Sequence, residues 1–480
     1  MAVALAVFLS VSFLTGCGRR VSEAENVSAV EKASETEEAI LEPDSESEVA
    51  KDITAEVATD TTAEVATDTT ESKPVLTFGD ERTEEYLPLL EGKRVALFSN
   101  QTGIVGNRIL NRKDGQEDDL LHFGVNPDGS QVQYGEHILD LLLENDVNVT
   151  AVFSPEHGFR GTEDAGASVS DSVDEKTGVP ILSLYAGDSH YPSDEDMSRF
   201  DTLVVDLQDV GLRYYTYHIL LYYLMDACAA HEKEILILDR PNPNGFYVDG
   251  PILQDAFRSG VGQLPLPVVY GMTWGELAQM INGEGWLSAG RNAADVTVIE
   301  CLGYSHEDKV PLVTAPSPNL KNMRAVYLYA STCFFENTLV SVGRGTEDPF
   351  TVYGSPYLDG VDGYDYYFTP QSMSGAEDPP FRGERCAGRN LGAISAQHIW
   401  EEQIDLSYLI DAYRSFEQLG KQDSFFGKPD GNGVYWVDKL FGTDSVRKMI
   451  MEGRSAQEIK ASWQPEIEAF KQQRRPYLLY

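Results

Sequence analysis

At 480 residues, with 42% apolar and 10% aromatic side chains, the chain is long enough for two or three domains and can fill a sizeable core. A formal charge of −40 makes nucleic acid a poor partner, because phosphate repels such a surface. Part of that charge is concentrated between residues 18 and 73, where 16 Asp or Glu stand against 5 Lys or Arg with almost no aromatics.

The elements begin with an apolar run over residues 2–14, too short to span a bilayer comfortably. It ends Leu14-Thr15-Gly16-Cys17, which resembles the lipobox of bacterial lipoproteins. The resemblance implies a signal peptide over 1–16 and a lipid on the Cys17 thiol, although no Lys or Arg precedes the run. The chain then repeats Thr54-Ala-Glu-Val-Ala-Thr-Asp-Thr61 directly over residues 62–69. With only Val and Ala as apolar faces, this repeat cannot stack as a solenoid. It reads as a disordered, self-repelling linker over 17–74 that holds a globular body away from a membrane.

Residues 94–98, 147–153, 180–184, 202–207 and 235–238 are continuous apolar runs, as buried parallel strands require. Helical patterns at 134–145 and 214–232 separate several of them. The alternation predicts an α/β fold, a Rossmann-like doubly wound and mostly parallel sheet over 75–303. A helix is expected at 273–282, with Thr273 as N-cap and Glu276 completing a capping box. A further strand is expected at 296–302. Beyond it Gly, Pro and Tyr become frequent, and a smaller C-terminal α+β domain is expected over 304–480, closing the cleft. Cys228, Cys301, Cys333 and Cys386 are scattered without metal-like spacing, and Cys228 and Cys333 sit in contexts of packed thiols.

The predicted strands end in polar clusters: Ser99-Asn-Gln-Thr-Gly103, Ser154-Pro-Glu-His-Gly158, Asp206-Leu-Gln-Asp209 and Asp239-Arg-Pro-Asn-Pro-Asn-Gly245. In a parallel sheet these share one edge and build one cleft. No Gly-x-Gly-x-x-Gly follows the first strand and no P-loop occurs, so no nucleotide and no other cofactor is expected. Gly-x-Ser-x-Gly and HExxH are absent too, and no metal site is expected. What remains is carboxylate chemistry. A glycosidase must protonate its leaving oxygen, and Glu156, beyond Pro155 at a strand end and facing Asp206 and Asp209, has the type and position for that work. A turn-capping carboxylate paired with Arg160 would look the same. Arg213, Tyr214 and Tyr217 beside an acidic strand end suit a sugar site, since rings cover sugar faces and Arg grips a carboxylate. The tyrosines equally suit a buried helix face. His157, Arg240, Asn319 and Arg344 carry the same ambiguity between ligand loop and rigid turn.

Phe153-Ser-Pro-Glu-His-Gly-Phe-Arg-Gly161, Asp206-Leu-Gln-Asp-Val-Gly-Leu-Arg-Tyr-Tyr-Thr-Tyr217 and Leu238-Asp-Arg-Pro-Asn-Pro-Asn-Gly245 occur in order. Ser99-Asn-Gln-Thr-Gly103 precedes them. Gly271-Met-Thr-Trp-Gly-Glu-Leu-Ala278, Pro316-Ser-Pro-Asn-Leu320 and Gly343-Arg-Gly-Thr346 follow. From about residue 90 onward the chain thus resembles the NamZ-type exo-β-N-acetylmuramidases. The resemblance implies a glycosidase that removes N-acetylmuramic acid from the non-reducing end of peptidoglycan fragments; the lipobox adds the expectation of a lipid anchor outside the cytoplasm. It places the catalytic acid on Glu156, with Asp206 or Asp209, or the substrate's own N-acetyl group, as the second participant. Asn100, Gln101, His157, Arg160, Gln208, Arg213, Tyr214, Tyr217, Asp239, Arg240, Asn319 and Arg344 are the expected substrate contacts. The insertion at 112–132 and the acidic tail depart from the family pattern. A sugar-binding lipoprotein without catalysis is the competing expectation; a nicotinamide-assisted glycosidase lacks its glycine fingerprint.

Overall fold

In the computed structural model, residues 74–106, 135–155, 159, 172–184, 190–288 and 293–480 are described. The lipobox with Cys17, the acidic repeat, the 112–132 insertion, and Glu156, His157 and Arg160 lie outside the described residues.

The apolar runs form the expected strands: β1 (Arg94–Phe98), β2 (Asn148–Ser154), β3 (Ser172–Val173), β4 (Pro180–Ser183), β5 (Thr202–Val205), β6 (Glu234–Leu238) and β7 (Asp295–Ile299). They join in the order β3-β4-β2-β1-β5-β6-β7. Every pairing is parallel except that of β3 with β4. The chain first winds outward from β1 through β2 to β4. It then returns to lay β5 on the other side of β1 and continues through β6 to β7. The direction of winding reverses between β1 and β5, which is where ligands of doubly wound sheets bind.

Alternation along each strand divides the core into two layers. Val95, Leu97, Val152, Val204, Leu236 and Leu238 pack with Tyr86 and Leu90 of the helix Thr83–Leu90 and with Ile138, Leu139 and Leu142 of the helix Ile138–Glu144. Ala96, Phe98, Phe153, Val205, Ile235 and Ile237 face the other way, against the helices Tyr217–Ala230 and Trp274–Gly283. That second layer runs without a break into the helices Met323–Thr332, Ser407–Gln418, Trp436–Phe441 and Ala456–Arg474. The smaller C-terminal domain carries an antiparallel sheet of β8 (Val352–Ser355), β9 (Tyr366–Phe368) and β10 (Cys386–Asn390), with β10 central. Cys228, Cys301, Cys333 and Cys386 are free and buried.

The helix expected over 134–145 begins only at Ile138 and several strand ends move by a residue, but three boundary differences bear on the site. β5 stops at Val205 rather than at 207, so Asp206 joins Gln208 and Asp209 in the loop. The last sheet strand stops at Ile299, because Leu302 turns away to bridge Thr77. The helix expected from 214 begins at Tyr217, leaving Tyr214 and Tyr215 in the turn before it. The capping box at Thr273 and Glu276 forms as expected: Thr273 N donates to Glu276 Oε2 at 2.9 Å.

Candidate active site

The two loops at the winding reversal are stitched together by short polar side chains. Asn100 Oδ1 accepts from Thr102 N at 2.9 Å and from Thr102 Oγ1 at 2.6 Å, and Gln208 N donates to Thr102 Oγ1 at 2.9 Å. Gln208 Nε2 is taken by the carbonyls of Asp209 and Pro241, both at 2.9 Å. Gln101 reaches across to the carbonyls of Ala315 and Pro316. Asn100 and Gln208 therefore shape the loops, and Gln101 ties them to the segment that carries Asn319.

The charged strand ends behave likewise. Arg240 is buried and holds Asp206 with both ends of its fork, Nε to Oδ1 at 2.6 Å and Nη2 to Oδ2 at 3.0 Å. The same Nη2 meets Asp80 Oδ2 at 2.7 Å. Burial pushes the Asp80 carboxyl up to about 7 against the pull of Arg240. Asp239 accepts from Thr273 Oγ1 at 2.6 Å, Gly275 N at 2.9 Å and Tyr480 Oη at 2.8 Å, so it anchors the start of a helix. Burial pushes its carboxyl up to about 6. Arg213 is fully buried and donates to the carbonyls of Pro251 (2.9 Å), Leu266 (2.6 Å) and Leu440 (2.9 Å). Asp206, Asp239, Arg213 and Arg240, expected at the substrate, thus face protein partners. The reason is energetic: a charge buried this deeply must be paired or solvated by dipoles.

Asp209 is intermediate. Its Oδ2 accepts from Gly211 N at 2.9 Å and from the Tyr270 hydroxyl, while Oδ1 is buried without a hydrogen-bond partner. Burial pushes this carboxyl up to about 6, with Tyr270 opposing.

Beside this polar layer lies a cavity of about 650 Å³. Tyr214, Tyr217, Asn319 and Arg344 line it as expected, together with Tyr215, Tyr329, Glu336, Phe350, Trp436 and the loop 375–380. Its walls are braced by backbone carbonyls. Tyr214 Oη donates to Tyr329 O at 2.9 Å, Tyr215 Oη to Pro316 O at 2.6 Å, and Asn319 Nδ2 to Gly375 O at 2.7 Å. The rings of Tyr215 and Tyr217 lie 4.6 Å apart. Arg344 Nε donates to Glu336 Oε1 at 2.8 Å, and the guanidinium sits 5.0 Å from the Phe350 ring centre. Tyr215 was within reach of the sequence, inside the run Tyr214-Tyr-Thr-Tyr217. Glu336, Tyr329 and Trp436 carried no motif, since only the folded turn brings them in. Among the described residues no three His, Cys, Asp or Glu side chains gather as metal ligands would.

A Rossmann-ordered sheet, a helical and antiparallel second domain, and an aromatic cavity with one arginine among its described lining residues together define a two-domain α/β protein with a broad cleft to account for. The model for the exo-β-N-acetylmuramidase NamZ N-terminal region matches residues 124–324, and that for its C-terminal region matches residues 327–480. The peptidoglycan β-N-acetylmuramidase NamZ of Bacillus subtilis is 32% identical over 430 residues, spanning 85% of this chain and 92% of that protein. The crystal structure of a DUF1343 family protein from Bacteroides fragilis is 50% identical, with a TM-score of 0.71 over 85% of this chain and 99% of that one. A second DUF1343 structure from Bacteroides fragilis, 24% identical with a TM-score of 0.65 over 84% and 99% of the two chains, shares the fold. The chain belongs to the NamZ exo-β-N-acetylmuramidase family and is a glycosidase.

Proposed function

We propose that this glycosidase releases N-acetylmuramic acid from the non-reducing end of peptidoglycan fragments, with Glu156 protonating the glycosidic oxygen. The observation that carries the reading is family membership along both halves of the chain, which meet around the aromatic cavity. A volume of about 650 Å³ suits one or two sugar rings, and tyrosine faces cover the apolar faces of such rings. A sugar alkoxide leaves poorly unless protonated, so a carboxylic acid must stand at the bond. Asp206, held by both oxygens on Arg240, acts in this reading as a positioning group for the loop that follows β5. The lipobox supports a lipid on Cys17 and a place outside the cytoplasm, with the acidic linker as spacer.

Defined muropeptides incubated with the full chain and followed by mass spectrometry should yield free N-acetylmuramic acid one residue at a time. Internal cleavage products would overturn the exo assignment. Glu156→Gln should lower the rate on a chromogenic muramide by roughly 100- to 10,000-fold, the usual contribution of a general acid. A variant working at the wild-type rate would remove Glu156 from the role. Binding without turnover by the unmodified protein would favour the sugar-binding alternative.

A further inference from the structure

N-acetylmuramic acid differs from N-acetylglucosamine by a lactyl ether on O3, which adds one carboxylate. A site that prefers it needs a cation with unspent donors. Arg213, whose terminal nitrogens bond carbonyls, and Arg240, held on Asp206 and Asp80, do not line the cavity. Among the described residues lining the cavity, Arg344 is the one guanidinium or ammonium.

The backbone delivers that side chain deliberately. Gly343 and Gly345 flank it with φ of +78° and +79°, a left-handed conformation that other residues rarely adopt. A Cβ on Gly343 would meet Val352 Cγ2 at 2.5 Å, and one on Gly345 would meet Gln371 O at 2.5 Å. The guanidinium is then oriented by Glu336 at its Nε edge and by the Phe350 ring. Glu336 and Phe350 line the same cavity. The terminal nitrogens have no hydrogen-bond partner among the described residues, and the side chain is 20% exposed. Burial works against its charge, but Glu336 outweighs burial and raises the guanidinium above its usual range. A second carboxylate on such a group has a precedent within this chain, because Arg240 holds Asp206 and Asp80 together.

We propose that Arg344, oriented through its Nε by Glu336, receives the lactyl carboxylate on its terminal nitrogens and thereby sets the preference for the acidic sugar over N-acetylglucosamine. The inference rests on the muramidase reading above.

The test uses the full chain and three p-nitrophenyl β-glycosides: the muramide, the muramide with its lactyl acid converted to the amide, and the N-acetylglucosaminide. Wild type should prefer the acidic muramide. Arg344→Met should lower kcat/KM for that substrate roughly 100-fold more than for the other two, mostly through KM. Arg344→Lys, which keeps the charge and loses the fork, should fall between. Retention of the full preference by both variants would overturn the inference and leave the muramidase reading standing. If neither variant folds, wild type decides through the amide, since equal rates on acid and amide would overturn it too. Failure of wild type to cleave the muramide at all would bring down the muramidase reading, and the inference with it.

Discussion

The strand-end layer and the neighbouring cavity are built from the same residue types and do opposite work. In the layer, Arg240, Asp206, Asp80 and Asp239 bond to one another, to backbone or to neighbouring hydroxyls, and scarcely any of their surface meets solvent. In the cavity, tyrosine hydroxyls are tied back to carbonyls so that ring faces and one guanidinium look inward. An acidic strand end in a sequence therefore does not itself mark the chemistry. Its partners decide whether it frames the site or enters it.

Exchanging one arginine from each region breaks the comparison most sharply. Arg240→Met strips the counter-charge from two buried carboxylates and should cost about 3–5 kcal/mol of unfolding free energy. Arg344→Met should cost less, about 1–3 kcal/mol, while changing sugar preference, because it leaves one carboxylate unpaired rather than two and Glu336 keeps some solvent contact. Urea unfolding of both variants checks this, and equal losses would erase the distinction between the regions.

A smaller effect separates them by pH. Asp80 at about 7 and Asp209 and Asp239 at about 6 bind protons in the folded chain at pH values where an unfolded Asp has lost them. Their contribution to stability is complete below the ordinary Asp range near 4. It is lost as pH rises through 6 to 7. Asp209→Asn should flatten that decline by on the order of 2 kcal/mol, read as the difference between variant and wild-type unfolding curves from pH 4 to 7.5. Parallel curves would show that Asp209 titrates normally. The smallest effect belongs to the cavity wall. Tyr215→Phe removes the bond to Pro316 O and should cost about 1 kcal/mol, with a modest rise in KM and little change in kcat. A fall in kcat without a change in KM would instead place the hydroxyl at the reacting atoms.

Signals carried by neighbouring residues were legible. The strand at 94–98 and the capping box at Thr273 and Glu276 follow from apolar runs and from a spacing of three. The polar strand ends were legible too, because a parallel sheet must gather them at one edge. Their bonding was not. Arg240 meets Asp80 from 160 positions away, and Arg344 meets Glu336 only because a folded turn brings them together. The strand expected to 207 stops at Val205, so Asp206 and Asp209 take their directions from the loop. Tyr214 and Tyr217 belong to the core and to the cavity at once, so the two readings of those rings were never exclusive.

Arg213 has a mechanical consequence. Its guanidinium satisfies carbonyls at 251 and 266 on the sheet side and at 440 on the C-terminal side, next to Tyr214 and Leu440 of the cavity wall. Parting the two sides would strip several dipoles from one buried cation together, a step far costlier than sliding two apolar surfaces apart. The joint is a rivet rather than a hinge. A ligand therefore meets, at Tyr214 and Leu440, a wall whose two sides are already fastened behind it.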